Sequence, residues 1–136
     1  MTAGARILVV DDDPSIVDLA TAVLGSAAYA VAAARTGSDA LRLARRERFD
    51  LVLLDINMPE MDGWETLRLI KADEAIRDLP VVMFSVKGEV RDKVHGLQEG
   101  AVDYLTKPFE VDDLLKRVRR VLGETGVGTG SLPTGA

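Results

Sequence analysis

Hydrophobic residues fall along this chain in two alternating rhythms. Short apolar runs at Arg6–Val10, Tyr29–Ala33, Leu51–Leu54, Val81–Ser85 and Val102–Leu105 predict five strands. Three of the runs are almost continuously apolar, the pattern of strands buried on both faces of a parallel sheet. Between and after them, apolar positions recur every three or four residues, which marks one face of a helix. The first helix follows Asp13-Pro14, a capping residue and then proline at the first helical position, and turns Ile16, Leu19, Ala20, Val23 and Leu24 to one side. A second is predicted from about Ser38 to Arg46, with Ala40, Leu41 and Ala44 inward. A third starts after Asp62-Gly63 and carries Leu67, Leu69 and Ile70. A fourth covers about Glu89–Glu99, with Val90, Val94 and Leu97 on one face. A fifth runs from about Val111 to Leu122 on Leu114, Leu115, Val118 and Leu122, and stops at Gly123.

Strands alternating with helices imply right-handed crossovers, so the fold class is α/β with a parallel sheet covered by helices on both sides. A length of 136 residues suits one domain, read as residues 1–122. Residues 123–136, rich in Gly and Thr, are expected to form a flexible tail or the start of a linker. The 47% hydrophobic content allows a sizeable core, and only 4% aromatic content means that Val, Leu, Ile and Ala must fill it.

Charge narrows the function. A net charge of −5 leaves no basic excess of the kind nucleic-acid binders show, so direct nucleic-acid binding is not expected. The chain has no cysteine, which excludes disulfides and thiol catalysis. No apolar run approaches a membrane span, and the start, Met1 to Arg6, lacks the apolar stretch of a secretion signal. A cytoplasmic location follows as the expectation.

In an open parallel sheet, ligands bind where the strands end. Asp11, Asp12 and Asp13 follow the first strand, Asp55 and Asn57 the third, Ser85 ends the fourth, and Lys107 follows the fifth. About 42 residues separate the two acidic groups, yet the fold logic brings them to one sheet edge. Clustered carboxylates repel unless a cation neutralises them. Oxygen ligands without Cys or His favour Mg²⁺, with Mn²⁺ able to substitute. Lys107 offers a compact positive charge and Ser85 a hydroxyl. With a carboxylate nucleophile these groups make a constellation for phosphoryl transfer. Asp13, directly before Pro14, reads as a helix cap.

These residues resemble response-regulator receiver domains, the CheY-like family. The resemblance rests on Ile7-Leu8-Val9-Val10-Asp11-Asp12-Asp13-Pro14, Leu53-Leu54-Asp55-Ile56-Asn57-Met58-Pro59, Met61-Asp62-Gly63, and Gly100-Ala101 leading to Tyr104-Leu105-Thr106-Lys107-Pro108-Phe109. It implies a doubly wound five-stranded sheet of order 2-1-3-4-5 with five helices, a flavodoxin/CheY-like three-layer sandwich. It implies Asp55 as phosphoacceptor, Asp12 and Asp55 as direct metal ligands, Asn57 through its backbone carbonyl, and Asp11 through water. It further implies Ser85 as the switch hydroxyl, Tyr104 as the aromatic switch, Lys107 as the phosphoryl-pairing lysine, and a cis Lys107–Pro108 bond. Val86 departs from the small residue more usual there, and Lys87 and Asn57 occupy positions that tune loss of the phosphoryl group.

The expected function is a signalling switch of a two-component phosphorelay. A histidine kinase or histidine phosphotransfer protein would donate a phosphoryl group to Asp55 with Mg²⁺, and slow autodephosphorylation would end the signal. The surface of the fourth helix, fifth strand and fifth helix would then bind a downstream effector or an attached output domain. There the basic run Lys116-Arg117-Val118-Arg119-Arg120 and the acids Asp103, Asp112 and Asp113 could also join two copies as a phosphorylation-dependent homodimer. An aspartyl-phosphate hydrolase would need a second Asp two residues after the nucleophile, where this chain has Asn57. A nucleotide binder would need a Gly-rich loop where Asp11-Asp12-Asp13-Pro14 stands. A receiver-like module that takes no phosphoryl group is the third alternative.

Overall fold

A computed structural model of the chain describes residues 4–86 and 98–123. Its elements are β1 (Arg6–Val10), α1 (Pro14–Ser26), β2 (Ala30–Ala34), α2 (Gly37–Arg46), β3 (Leu51–Asp55), α3 (Gly63–Ala72), β4 (Val81–Val86), β5 (Asp103–Lys107) and α4 (Val111–Val121). Here α4 is the fifth helix of the sequence prediction. The predicted fourth helix falls almost wholly on residues 87–97, outside the described residues.

The five strands form one sheet in the order β2-β1-β3-β4-β5, and every neighbouring pair is parallel. All five residues of β3 are buried, as expected for a central strand covered on both faces. Alternate residues feed two separate cores. Leu8, Val10, Val52, Leu54, Val81 and Met83 pack with Ala40, Leu41, Leu67 and Ile70 of α2 and α3. Ile7, Val9, Leu51, Leu53, Val82 and Phe84 pack with Ala20 and Leu24 of α1 and with Leu114 and Val118 of α4. Burying each such large side chain contributes about 1.5–3 kcal/mol, which holds the helices in place more firmly than any cap.

Caps set where the helices begin. Asp13, Thr36 and Asp62 each accept a hydrogen bond from a backbone N–H in the first turn of α1, α2 and α3. Thr36 starts α2 at Gly37, one residue before the sequence expectation. The described helices contain none long and apolar enough to cross a membrane.

β2 begins at Ala30 rather than at the predicted Tyr29, for a local reason. Tyr29 N–H donates to the Leu24 carbonyl and Ala28 N–H to the Gly25 carbonyl, so both residues belong to the C-terminal cap of α1. Ala28 sits at φ 72°, where a Cβ is crowded and glycine is favoured. Ala28→Gly should therefore stabilise the protein by about 0.5–1 kcal/mol, the relief of strain exceeding the added chain entropy. The check is a higher urea midpoint at unchanged slope; an unchanged or lower midpoint refutes it.

Candidate functional site

The order β2-β1-β3 means that the chain reverses its winding between β1 and β3. A crevice opens there because the helices that follow these strands leave toward opposite faces. The loop leaving β1 supplies Asp11 and Asp12, and the end of β3 supplies Asp55. Carboxylate oxygens of Asp11, Asp12 and Asp55 lie within 4.8 Å of one another. Asp11 is 0% and Asp55 2% exposed, while Asp12 is more open to solvent.

Asp55 is the last residue of β3 and its backbone is paired in register with Phe84 of β4. The apolar run by itself ends the strand at Leu54. Inclusion of Asp55 in the ladder matters, because it gives the carboxylate a rigid base. The Asn57 N–H donates to Asp55 Oδ1 at 3.4 Å, which aligns the loop that leads away from the strand.

Lys107 ends β5, two residues beyond the predicted strand, and reaches across the sheet edge. Its Nζ lies 2.8 Å from Asp11 Oδ2 and 3.1 Å from Asp55 Oδ1. It also stands 4.9 Å from the centroid of the Phe84 ring, a cation–π contact that the sequence did not signal. The Lys107–Pro108 peptide is cis.

The electrostatics follow from this packing. Burial, and then repulsion from Asp11, push the Asp55 carboxyl up to about 6, against the opposing pull of Lys107 and the Asn57 N–H. Burial draws the Lys107 ammonium down, but its hydrogen bonds to Asp11 and Asp55 outweigh burial and the net direction is upward. Lys107 thus stays charged. Asp13 lies outside this balance: it caps α1, and hydrogen bonds from Ser15 hold its carboxyl below the usual range.

Ser85 is buried inside β4, beside Thr106 of β5 in the ladder. Tyr104 is buried in β5 and belongs to the core under α2 and α3. Val86 is described only through its backbone, and Lys87 lies outside the described residues. The structure thus brings Asp11, Asp12, Asp55 and Lys107 to one point, with Asn57 alongside. Ser85 and Tyr104 sit on the two strands that flank that point.

The donor set fits a hard divalent cation. Among the described residues it is built of oxygen alone, and the three carboxylates with one ammonium leave two negative charges uncompensated. Mg²⁺ prefers one or two carboxylates with several waters and phosphate oxygens, which such a partly open cluster allows.

Comparison with known proteins agrees with this geometry. The family described as "Response regulator receiver domain" matches residues 7–119. The chain is 42% identical over 120 residues to the DNA-binding dual master transcriptional regulator RpaA of Synechocystis, covering 88% of this chain and 50% of RpaA. It is 42% identical over 118 residues to protein PilH of Pseudomonas aeruginosa, covering 87% of this chain and 98% of PilH. The chain therefore spans about half the length of some curated relatives and nearly all of another. Among solved structures, it superposes on the receiver domain of sensor histidine kinase PA1611 from Pseudomonas aeruginosa, which has a magnesium ion coordinated in its active-site cleft. That match has a TM-score of 0.82 at 35% identity and covers 90% of this chain and all of the other. With its order-2-1-3-4-5 sheet and its acidic cluster at the switch point, this chain belongs to the receiver domains of two-component response regulators, a family of signalling switches.

Proposed function

We propose that Asp55 accepts a phosphoryl group from a phosphorylated histidine of a histidine kinase or phosphotransfer protein in the cytoplasm. The observation that carries this reading is Lys107 Nζ lying between Asp11 and Asp55 at the strand ends. An oxygen of the Asp55 carboxylate attacks phosphorus, the P–O bond forms, and the P–N bond to the donor imidazole breaks. The imidazole nitrogen keeps the electron pair and takes a proton from solvent. Lys107 moves from pairing carboxylates to pairing a phosphoryl oxygen, so the incoming charge meets a fixed ammonium. Asp12 and Asp55, the Asn57 carbonyl, and Asp11 through water would hold Mg²⁺. When bound, Mg²⁺ neutralises charge on the phosphoryl oxygens.

The product is an acyl phosphate, and its hydrolysis ends the signal. The aspartyl phosphate carries a charge of about −2 where the carboxylate carried −1, and places three further acceptor oxygens at a buried strand end. Ser85 supplies a hydroxyl to it, and burial of the Tyr104 ring couples the site to the sheet edge. The bias between surface states is read on β5, α4 and the predicted fourth helix. Arg117 already pairs with Asp103 at 2.8 Å and with Asp113 at 3.1 Å on that face. Exchange of these partners between two copies is the proposed route to a homodimer, and sedimentation of the phosphorylated protein at micromolar concentration tests it. A monomer there refutes this route. Residues 1–122 form the switching unit, with residues 123–136 a tail or the start of a linker to an output domain.

The direct test is intact mass after incubation with acetyl phosphate and Mg²⁺. The wild type should gain one phosphoryl group and Asp55→Asn none. A gain that survives Asp55→Asn refutes the assignment.

A further inference from the structure

The segment from Asp55 to Gly63 closes on itself. The Gly63 N–H donates to the Ile56 carbonyl at 2.9 Å. A Cβ on Gly63 would lie 2.3 Å from the Asp55 carbonyl oxygen and 2.7 Å from Ile56 Cα. Both are backbone atoms of the strand end that carries Asp55, so neither can rotate away. On the other side, a Cβ on Gly37 would lie 2.2 Å from Thr66 Oγ1 and 2.8 Å from Met61 Sδ. Thr66 Oγ1 donates to the Asp62 carbonyl at 2.9 Å, and Asp62 accepts from the Glu65 N–H at 3.0 Å as the cap of α3. Residues 56–62, which include Asn57, are therefore gripped between the end of β3 and the contact of α2 with α3.

We propose that Gly63 is a positioning residue for the site: its bare Cα lets the start of α3 seat on the Asp55 carbonyl, and that seating sets where the Asp55 carboxylate and the Asn57 carbonyl stand. The inference rests on Asp55 being the phosphoacceptor. A methyl group at Gly63 must push the strand end and α3 apart by a large fraction of an ångström, since the blocking atoms are backbone. Displacement of that order at a reacting group costs up to about a hundredfold in rate. Gly37 bears on the site less directly, because the atoms it faces are side-chain atoms of Thr66 and Met61, one contact removed from the Asp55 backbone.

The test compares Gly63→Ala, Gly37→Ala and Gly25→Ala in the full chain, at a temperature where circular dichroism shows each to be folded. A Cβ at Gly25 meets nothing within 4 Å, so it controls for the loss of a glycine. Three quantities are read: the Mn²⁺ dissociation constant without phosphodonor, the rate of phosphoryl uptake from acetyl phosphate, and hydrogen exchange at the residue-63 amide. Gly63→Ala should weaken Mn²⁺ binding and slow uptake by at least about tenfold and unprotect that amide, with Gly37→Ala changing both by less than about threefold and Gly25→Ala neither. A role in stability alone would lower the melting temperature and leave the Mn²⁺ constant in place, and that result overturns the proposal. If Gly63→Ala does not fold, it is placed in the Ala28→Gly background. Should that also fail, Asp62→Ala loosens the same helix start without overlap; weaker Mn²⁺ binding then supports the proposal and unchanged binding overturns it. A wild type that takes no phosphoryl group refutes the phosphoacceptor reading instead, and Mn²⁺ affinity still decides the part played by Gly63.

Discussion

Asp55→Asn, the change expected to abolish phosphoryl uptake, should make the metal-free protein more stable at pH 7. Asp55 is 2% exposed beside the buried Asp11, and its carboxyl is pushed up to about 6 by burial and by that neighbour. In the unfolded chain it titrates near the ordinary value of about 3.9. The folded state therefore holds the proton more tightly. Wild-type stability from this group is whole below about pH 4 and is lost as pH rises through 6. A shift of roughly two units corresponds to on the order of 3 kcal/mol above pH 6. Asparagine keeps the shape and an oxygen for Lys107 but carries no charge, so it escapes this loss. Thermal unfolding across pH should show Asp55→Asn melting several degrees above wild type at pH 7 and level with it near pH 4. Saturating Mg²⁺ should narrow the gap at pH 7, since ligand binding stabilises the folded wild type. Equal melting temperatures at pH 7 without metal would mean that Asp55 is not strained by its surroundings.

Removal of Lys107 should do the reverse, and more severely. Its ammonium is 2.8 Å from Asp11 and 3.1 Å from Asp55, whose side chains are 1% and 3% exposed. Lys107→Ala leaves two buried carboxylates facing one another, and breaking a buried pair in this way costs about 3–5 kcal/mol. Protonation of one carboxylate relieves the penalty, so the loss should be smaller at pH 5 than at pH 8. Added Mg²⁺ should restore part of the stability without restoring the chemistry. Phosphoryl uptake should fall by about 10²–10³, the usual effect of removing a fixed charge that faces an oxyanion. Lys107→Arg should recover stability better than uptake, because a planar fork cannot take the place of a compact ammonium between two acids. A variant Lys107→Ala that melts with wild type at pH 8 would show that the acids are neutralised some other way.

The local pattern of the chain determined its elements and its chemistry. Continuous apolar runs against three-to-four spacing separated strands from helices, since each backbone repeats its side-chain directions at its own period. Turn and cap residues such as Asp13, Pro14 and Asp62 placed the helix starts to within a residue or so. The donor types at the strand ends, all oxygen with one ammonium, point to a hard cation and a phosphoryl group from residue chemistry alone. Strand order came only through family resemblance, because periodicity does not say which strand lies beside which.

Tertiary packing decided the rest. Tyr29 is apolar and reads as the start of a strand, yet it completes the cap of α1, because two hydrogen bonds at a left-handed Ala28 are satisfied that way. Asp55 and Lys107 look like loop residues but belong to the ladder, where pairing to neighbouring strands holds them more rigidly than any local preference could. Phe84 lies under Lys107 only because β4 and β5 are neighbours. Gly63 appears in the chain as part of a turn motif, and its closeness to the Asp55 carbonyl exists only once α3 has folded back onto β3. Such contacts join residues far apart or differently oriented along the chain, and their energies depend on burial, which no stretch of sequence possesses alone.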